Sequence, residues 1–261
     1  MKNIGLIGVG HMGYALLEGL LRSGTAQPQT TYISSKSAQK LKTVAKKTKC
    51  IPCKNNTILA KECDVIILAV SPLVLPQVLE EIKAYVGKKT LLISLAASFT
   101  IARIEEALSA PAAIARAIPN IPVSICQGVT SITVAQGLSA THMKVLTQLF
   151  ESVGKILFVE EKKLDTAIAI SGCSPAFAAL FIEAMADAGV YAGLSREESY
   201  LLSEQAVLGT AATLLEKGML PAQFKDMVAT PGGITIKGIA ALEKNGLRHA
   251  VIEAIRASAG K

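Results

Sequence analysis

Tryptophan is missing from this chain and aromatic residues make up only 4% of it, so its interior must be built from Ala, Leu, Ile and Val. Charge is also scarce, 18% against 51% hydrophobic residues, which excludes a disordered segment and describes a well-buried globular protein. At 261 residues it is long enough for one large or two modest domains. Only three histidines occur (His11, His142, His249), none beside an obvious carboxylate, so each reads as structural or surface and no Ser-His-Asp arrangement is indicated locally. The five cysteines (Cys50, Cys53, Cys63, Cys126, Cys173) are an odd set without framework spacing. Met1 leads directly into an apolar strand pattern, with no secretory segment ahead of it, so the expected compartment is reducing and cytoplasmic. Cys50-Ile51-Pro52-Cys53 is formally a C-x-x-C, yet no second pair or nearby histidine completes it, and no metal site is expected.

Long hydrophobic runs are few. The least polar stretch, 167–182, falls short of the roughly 20 residues a bilayer span requires and contains Gly172 and Pro175. It reads as a helix buried in a core or subunit interface, and no membrane is expected. Lys plus Arg number 27 against 20 for Asp plus Glu, a net +7. That charge reads as a generally basic surface able to steer anionic ligands, not as a stripe with interleaved aromatics, so nucleic acid is not an expected partner.

What is present is an alternating pattern followed by an unbroken helical one. Strand candidates fall at 4–8, 31–34, 65–70, 91–95, 114–118, 129–134 and 156–159, with helical patterns at 14–23, 38–47, 73–86, 101–108 and 140–153. Strands alternating with helices indicate βαβ units and a mainly parallel sheet. Val65-Ile66-Ile67-Leu68-Ala69-Val70 is apolar throughout, as a strand covered on both faces should be. After Lys163 the strand signal stops, and 164–192, 195–217, 221–229 and 235–259 all read as helix. The expected fold class is therefore α/β, an N-terminal Rossmann-type doubly wound sheet over 1–160 followed by an all-α domain over 161–261. The glycine density of the long helices suggests close packing, between subunits above all.

Two glycine-rich segments carry the chemistry. Ile7-Gly8-Val9-Gly10-His11-Met12-Gly13 is a G-x-G-x-x-G turn placed after an apolar strand and before a helix. Gly8 suits the tight turn, Gly10 the approach of a pyrophosphate, and Gly13 close helix–strand packing, while the helix start offers amides and a positive dipole end. At the end of the second strand, Tyr32-Ile33-Ser34-Ser35-Lys36-Ser37 supplies hydroxyls and a cation but no carboxylate. These groups suit a 2′-phosphate, so NADPH is expected, with NADH possible and weaker; a serine-rich turn capping the next helix is the alternative. Ser71-Pro72 and Ala96-Ala97 end two further strands, where ligands of open α/β sheets lie. Near the C-terminus, Ala229-Thr230-Pro231-Gly232-Gly233-Ile234-Thr235-Ile236 is a turn that exposes amides beside a hydroxyl, fit for a small anion.

Several segments resemble the pyrroline-5-carboxylate reductase family, in its order and over the whole chain. They are the N-terminal glycine turn, Asp64 to Val70, Arg116-Ala117-Ile118-Pro119-Asn120-Ile121-Pro122, Phe181 to Gly193-Leu194, Lys225 to Thr235, and Ala241 to Arg248. The resemblance implies hydride delivery to the C=N carbon of 1-pyrroline-5-carboxylate, giving L-proline. It implies that Gly232, Gly233, Ile234 and Thr235 hold the substrate carboxylate, and that the Thr235 hydroxyl serves the ring nitrogen as hydrogen-bond partner or proton donor. A helix-cap role for Thr235 stays open beside it. Glu161 matches an acidic position near the proline site, though alone it reads as a loop charge. Ser34, Asn56, Ala69, Val70, Ser71, Pro72, Ala96 and Ala97, with Gly8, Val9, Gly10, His11, Met12, Gly13, Ser35 and Lys36, make up the implied cofactor site. Self-association through the C-terminal helices, as a dimer or dimer-based ring, is also implied. The chain departs from the family pattern at Ser71, Ile121, Cys173, Phe177 and Met227. A reductase of another cyclic imine and a non-catalytic NADP-binding sensor are the alternative readings.

Overall fold

The computed structural model describes residues 3–108 and 111–260; Met1 and Lys2, from which the N-terminal reading started, and Ser109, Ala110 and Lys261 lie outside them. Two compact units divide at Gly172 and Cys173.

In the first unit eight strands form one sheet: β1 (Ile4–Ile7), β2 (Thr31–Ser34), β3 (Ile51–Pro52), β4 (Val65–Leu68), β5 (Leu91–Ser94), β6 (Ala113–Pro119), β7 (Gly128–Val134) and β8 (Gly154–Phe158). Their order is β3-β2-β1-β4-β5-β6-β7-β8, parallel throughout except for the antiparallel β6–β7 pair. The chain leaves β1 toward β2 on one side and returns to β4 on the other, so the strand order reverses between β1 and β4, the crevice where such sheets bind ligands.

Helices cover both faces. Against one lie α1 (His11–Arg22), α2 (Ala38–Thr48) and α6 (Ala140–Glu151), through Leu16, Leu20, Val44, Leu146 and Phe150. Against the other lie α3 (Asn56–Glu62), α4 (Leu75–Ile82) and α5 (Ile101–Leu108), through Leu59, Leu75, Leu79, Ile82 and Ile104. β4 shows why its sequence is apolar at every position: Val65 and Ile67 enter the first layer, Ile66 and Leu68 the second. Fully burying each such side chain stabilises the fold by about 1.5–3 kcal/mol.

Two elements of this unit were not expected from sequence, the two-residue edge strand β3 and the helix α3. Asn55 starts α3 by accepting a hydrogen bond from the Ile58 amide at 2.9 Å. After β8 come α7 (Leu164–Ile168) and a wide π-helical turn at Ala169–Cys173, within which the division between the units falls.

The second unit holds α8 (Ser174–Tyr191), α9 (Arg196–Lys217), α10 (Pro221–Val228), α11 (Ile234–Lys244) and α12 (Leu247–Ser258). The helical pattern expected at 164–192 is thus α7, the π turn and α8, and that expected at 235–259 is two helices parted at Asn245-Gly246, where Gly246 has φ +77°. α9 opens on a capping box: Ser195 accepts from the Glu198 amide while Glu198 accepts from the Ser195 amide. α8 and α9 approach closely enough that a Cβ on Gly189 would lie 2.6 Å from the Ser199 hydroxyl.

Within the helical run Glu161–Tyr191 an 18-residue window reaches a mean hydropathy of 1.6, so by length and composition alone the run could cross a membrane. On length, then, the expectation of a stretch too short to span is corrected, because the helical run extends beyond residues 167–182 at both ends. Pro175 and the π turn interrupt its regularity.

Candidate active site

The nucleotide-type cradle is built where β1 runs into α1. Gly8 adopts φ +102°, which turns the chain sharply out of the strand, and its amide donates to the Ser34 carbonyl at 3.0 Å, tying β1 to the end of β2. A Cβ on Gly13 would overlap the Gly8 carbonyl oxygen, so the first turn of α1 can sit against the strand only with glycine there. Gly10 is the opposite case: a Cβ placed on it meets nothing within 4 Å. The three glycines therefore do three different things, and Gly10 opens onto free space beside the start of a helix.

α1 has neither a side-chain cap nor an acidic residue in its first turn, leaving the amides of His11, Met12 and Gly13 available to an anion. His11 is exposed, Val9 and Gly13 are buried, and Met12 lies between these extremes. This open, positively polarised cradle fits a pyrophosphate.

Along the crevice from it, one pocket is lined by Gly8, Ser34, Ser35, Lys36, Lys54, Asn56, Val70 and Glu81 among others. Of the expected cofactor residues it gathers Gly8, Ser34, Ser35, Lys36, Asn56 and Val70. Ala69, which donates its amide to the Ile7 carbonyl at 2.8 Å, and Ala96 sit at the carboxyl ends of β4 and β5; Ser71 and Pro72 are exposed just beyond β4, and Ala97 is half-buried just beyond β5. Ser37 caps α2 by accepting from the Lys40 amide, so the helix-cap reading of the serine-rich turn holds for Ser37, while Ser34 and Ser35 remain in the pocket.

Glu161 is not the free loop charge its sequence position suggests. One of its oxygens, Oε1, accepts from the Arg116 guanidinium at 2.6 Å and from the Ile101 amide at 2.9 Å, holding the start of α5. Arg116 comes from the fully buried strand β6, is 3% exposed, and also donates to the Ala97 carbonyl; its Nε has no partner among the described residues. Sequence reasoning missed this role. The available signal was a lone arginine among Ala and Ile in a strand, which must find an anion if it is buried. Asn120 was missed in the same way: it donates to Ser171 and accepts from Val129, fixing the turn between β6 and β7.

In the second unit, Thr230-Pro231-Gly232-Gly233 forms a tight turn in which the Gly233 amide donates to the Thr230 carbonyl at 3.1 Å. Proline second and glycine third, with φ +68° at Gly232, is the chemistry of a type II turn. It delivers the chain into α11, whose cap is Gly233. The cap reading of Thr235 is corrected: Thr235 is the second residue of the helix, and among the described residues its hydroxyl makes no hydrogen bond. Ile234, Thr235 and Ile236 open the helix with no acidic side chain among them. Their unpaired amides beside a half-buried hydroxyl are suited to a small carboxylate and a neighbouring proton acceptor.

The other histidines and three of the cysteines have surroundings of their own. His142 is buried and held between Ser139 and the Lys89 carbonyl, and His249 is exposed. Burial raises the pKa of Cys50 and Cys53 and pushes Cys63 up to about 12, with Cys53 and Glu62 adding to the shift of Cys63, so these thiols are poor nucleophiles. Among the described residues, no group of three or more His, Cys, Asp or Glu side chains is arranged to hold a metal.

Two family models match the chain. One described as pyrroline-5-carboxylate reductase dimerisation covers residues 161–261, and one described as NADP oxidoreductase, coenzyme F420-dependent, covers residues 3–98. The chain is 38% identical to the pyrroline-5-carboxylate reductase of Treponema pallidum, covering 98% of each chain. It is 36% identical to that of Escherichia coli strain K12, over 97% of this chain and 94% of the relative. Its structure is similar to that of Plasmodium falciparum pyrroline carboxylate reductase with NADP bound, with a TM-score of 0.89 at 34% identity, covering 99% of this chain and 96% of that one. On sequence and fold alike, this chain belongs to the pyrroline-5-carboxylate reductase family.

Proposed function

We propose that this protein catalyses the NADPH-dependent reduction of 1-pyrroline-5-carboxylate to L-proline, the last step of proline biosynthesis, as a cytoplasmic homo-oligomer. The observation that carries the reading of the substrate is the turn at Thr230–Gly233, which opens α11 with free amides beside the unpartnered Thr235 hydroxyl.

When bound, NADPH supplies the hydride that reduces the C=N carbon, while the ring nitrogen gains a proton. Gly8, Val9, Gly10, His11, Met12 and Gly13 hold the pyrophosphate. Ser34, Ser35, Lys36 and Asn56 take the adenosine ribose, and Ala69, Val70, Ser71, Pro72, Ala96 and Ala97 line the remainder. The amides of Gly232, Ile234 and Thr235 anchor the substrate carboxylate; that of Gly233, expected to join them, is spent on the Thr230 carbonyl, so Gly233 contributes by shaping the turn. The Thr235 hydroxyl positions the ring nitrogen, and Glu161, whose Oε1 is taken by Arg116 and Ile101, is assigned to substrate binding through its other carboxylate oxygen. An imine is readily protonated, so orientation and carboxylate anchoring are enough without a strong general acid.

We place the division between cofactor and substrate domains at residue 160, where the matched dimerisation segment begins. Self-association is supported by the apolar side chains that the second unit leaves exposed, Leu201, Leu202, Leu208 and Leu215 on α9 and Ile252 on α12 among them. Cofactor oxidation with 1-pyrroline-5-carboxylate, beside NADH and other cyclic imines, tests the assignment. Preference for an imine without a carboxylate would favour the alternative substrate suggested by Ile121, Phe177 and Met227.

A further inference from the structure

The pocket beside Lys36 and Lys54 contains one carboxylate, Glu81, and its hydrogen bonds impose a direction on everything between it and Ser34. α4 buries Leu75, Val78, Leu79 and Ile82, which leaves Gln77 and Glu81, one turn apart, on its exposed face. Gln77 donates to Glu81 Oε1 at 3.1 Å, and Asn56 Nδ2 donates to Glu81 Oε2 at 2.7 Å. A carboxylate only accepts, so the amide group of Asn56 must face Glu81 and its oxygen must face the other way. There Asn56 Oδ1 lies 2.6 Å from the Ser34 hydroxyl, which must donate to it. Ser34 is 2% exposed, at the end of β2, and has one hydroxyl hydrogen, already spent on Asn56. Toward the pocket it can offer only lone pairs.

We propose that Glu81 is a selectivity residue for the adenosine end of the cofactor: acting through Asn56, it fixes Ser34 as an acceptor and so favours a ribose 2′-hydroxyl over a 2′-phosphate. A hydroxyl donates to such an oxygen; a phosphate, which only accepts at neutral pH, meets a lone pair and a nearby carboxylate. Lys36 and Lys54 pull the other way, so the preference for NADPH is a balance and Glu81 is the weight on the NADH side. The proposal rests on the cofactor reading above and reassigns Ser34 from phosphate donor to hydroxyl acceptor. Glu81→Gln removes the constraint, because an amide can donate as well as accept; Asn56 can then turn over and Ser34 is released to donate.

The test is equilibrium binding by calorimetry of adenosine 2′,5′-bisphosphate and of 5′-AMP, which differ only in the 2′-phosphate. Glu81→Gln should raise the ratio of bisphosphate to AMP affinity about tenfold. Adding Ser34→Ala to that variant should abolish the gain. A ratio changed by less than about twofold would overturn the proposal, and so would a gain that survives Ser34→Ala, since Glu81 would then act by charge alone. Failure of the wild-type protein to bind either nucleotide would instead overturn the cofactor reading itself, and this proposal with it.

Discussion

Thr235 and the Arg116–Glu161 pair show how differently single residues can matter in one site. Thr235 has a hydroxyl with no structural duty, so Thr235→Ala should lower kcat by about a hundredfold and leave the dissociation constant for NADPH and the melting temperature nearly unchanged. Equal loss of cofactor binding would show that the residue is misplaced. Arg116 and Glu161 are structural first, and their burial predicts an asymmetry. Glu161→Ala strands a guanidinium that is 3% exposed and should cost about 3–5 kcal/mol, whereas Arg116→Ala leaves a carboxylate 35% exposed that water can reach, for about 2 kcal/mol. Urea titrations of the two variants check the order; Arg116→Ala as the costlier change would refute it. The turn residues were legible because Pro and Gly dictate backbone geometry locally. Arg116 and Asn120 were not, because their partners lie far away in sequence, at Glu161 and Ser171.

At the scale of elements, the glycine turn separates stability from binding. Gly13→Ala forces β1 and α1 apart and should lower the melting temperature markedly. Gly10→Ala has open space around it and should leave the melting temperature within a few degrees while weakening NADPH binding severalfold; the reverse pattern would contradict the cradle. Ser195→Ala, at the start of α9, should cost about 1 kcal/mol. Its partner Glu198 has a pKa held below the ordinary glutamate value by hydrogen bonds to Ser195, so the capping box stabilises the fold above that ordinary value. The contribution disappears as pH falls through the lowered one.

Most of the strands and helices could be read from periodicity. β3 was too short to show any, and α3 was hidden because Lys54-Asn55-Asn56 reads as a loop until Asn55 is seen to cap. The break at Asn245-Gly246 was passed over because the apolar spacing of α11 continues into α12.

For the whole molecule, the net charge is more localised than its total suggests. Residues 19–61 contain nine Lys and Arg and no Asp or Glu, so the rest of the chain carries 18 basic against 20 acidic residues. All of the positive excess therefore sits on one edge of the sheet, around β2, α2 and β3, next to the pocket at Lys36 and Lys54. Such an edge should accelerate the arrival of a polyanionic cofactor. Raising ionic strength from about 0.02 to 0.5 M should slow NADPH association about tenfold with little change in its dissociation rate. Lys40→Gln with Lys42→Gln should blunt that dependence in stopped-flow measurements, and an unaltered salt slope would refute steering. Composition alone gave the size of the charge but not its placement, which needed the sheet order.

The activity itself is tested by initial-rate oxidation of NADPH and NADH with 1-pyrroline-5-carboxylate, alongside cyclic imines lacking the carboxylate. Rapid turnover confined to the carboxylated pyrroline, with L-proline as product and NADPH preferred, is the predicted result. Cofactor binding without turnover, or turnover indifferent to the carboxylate, would contradict it.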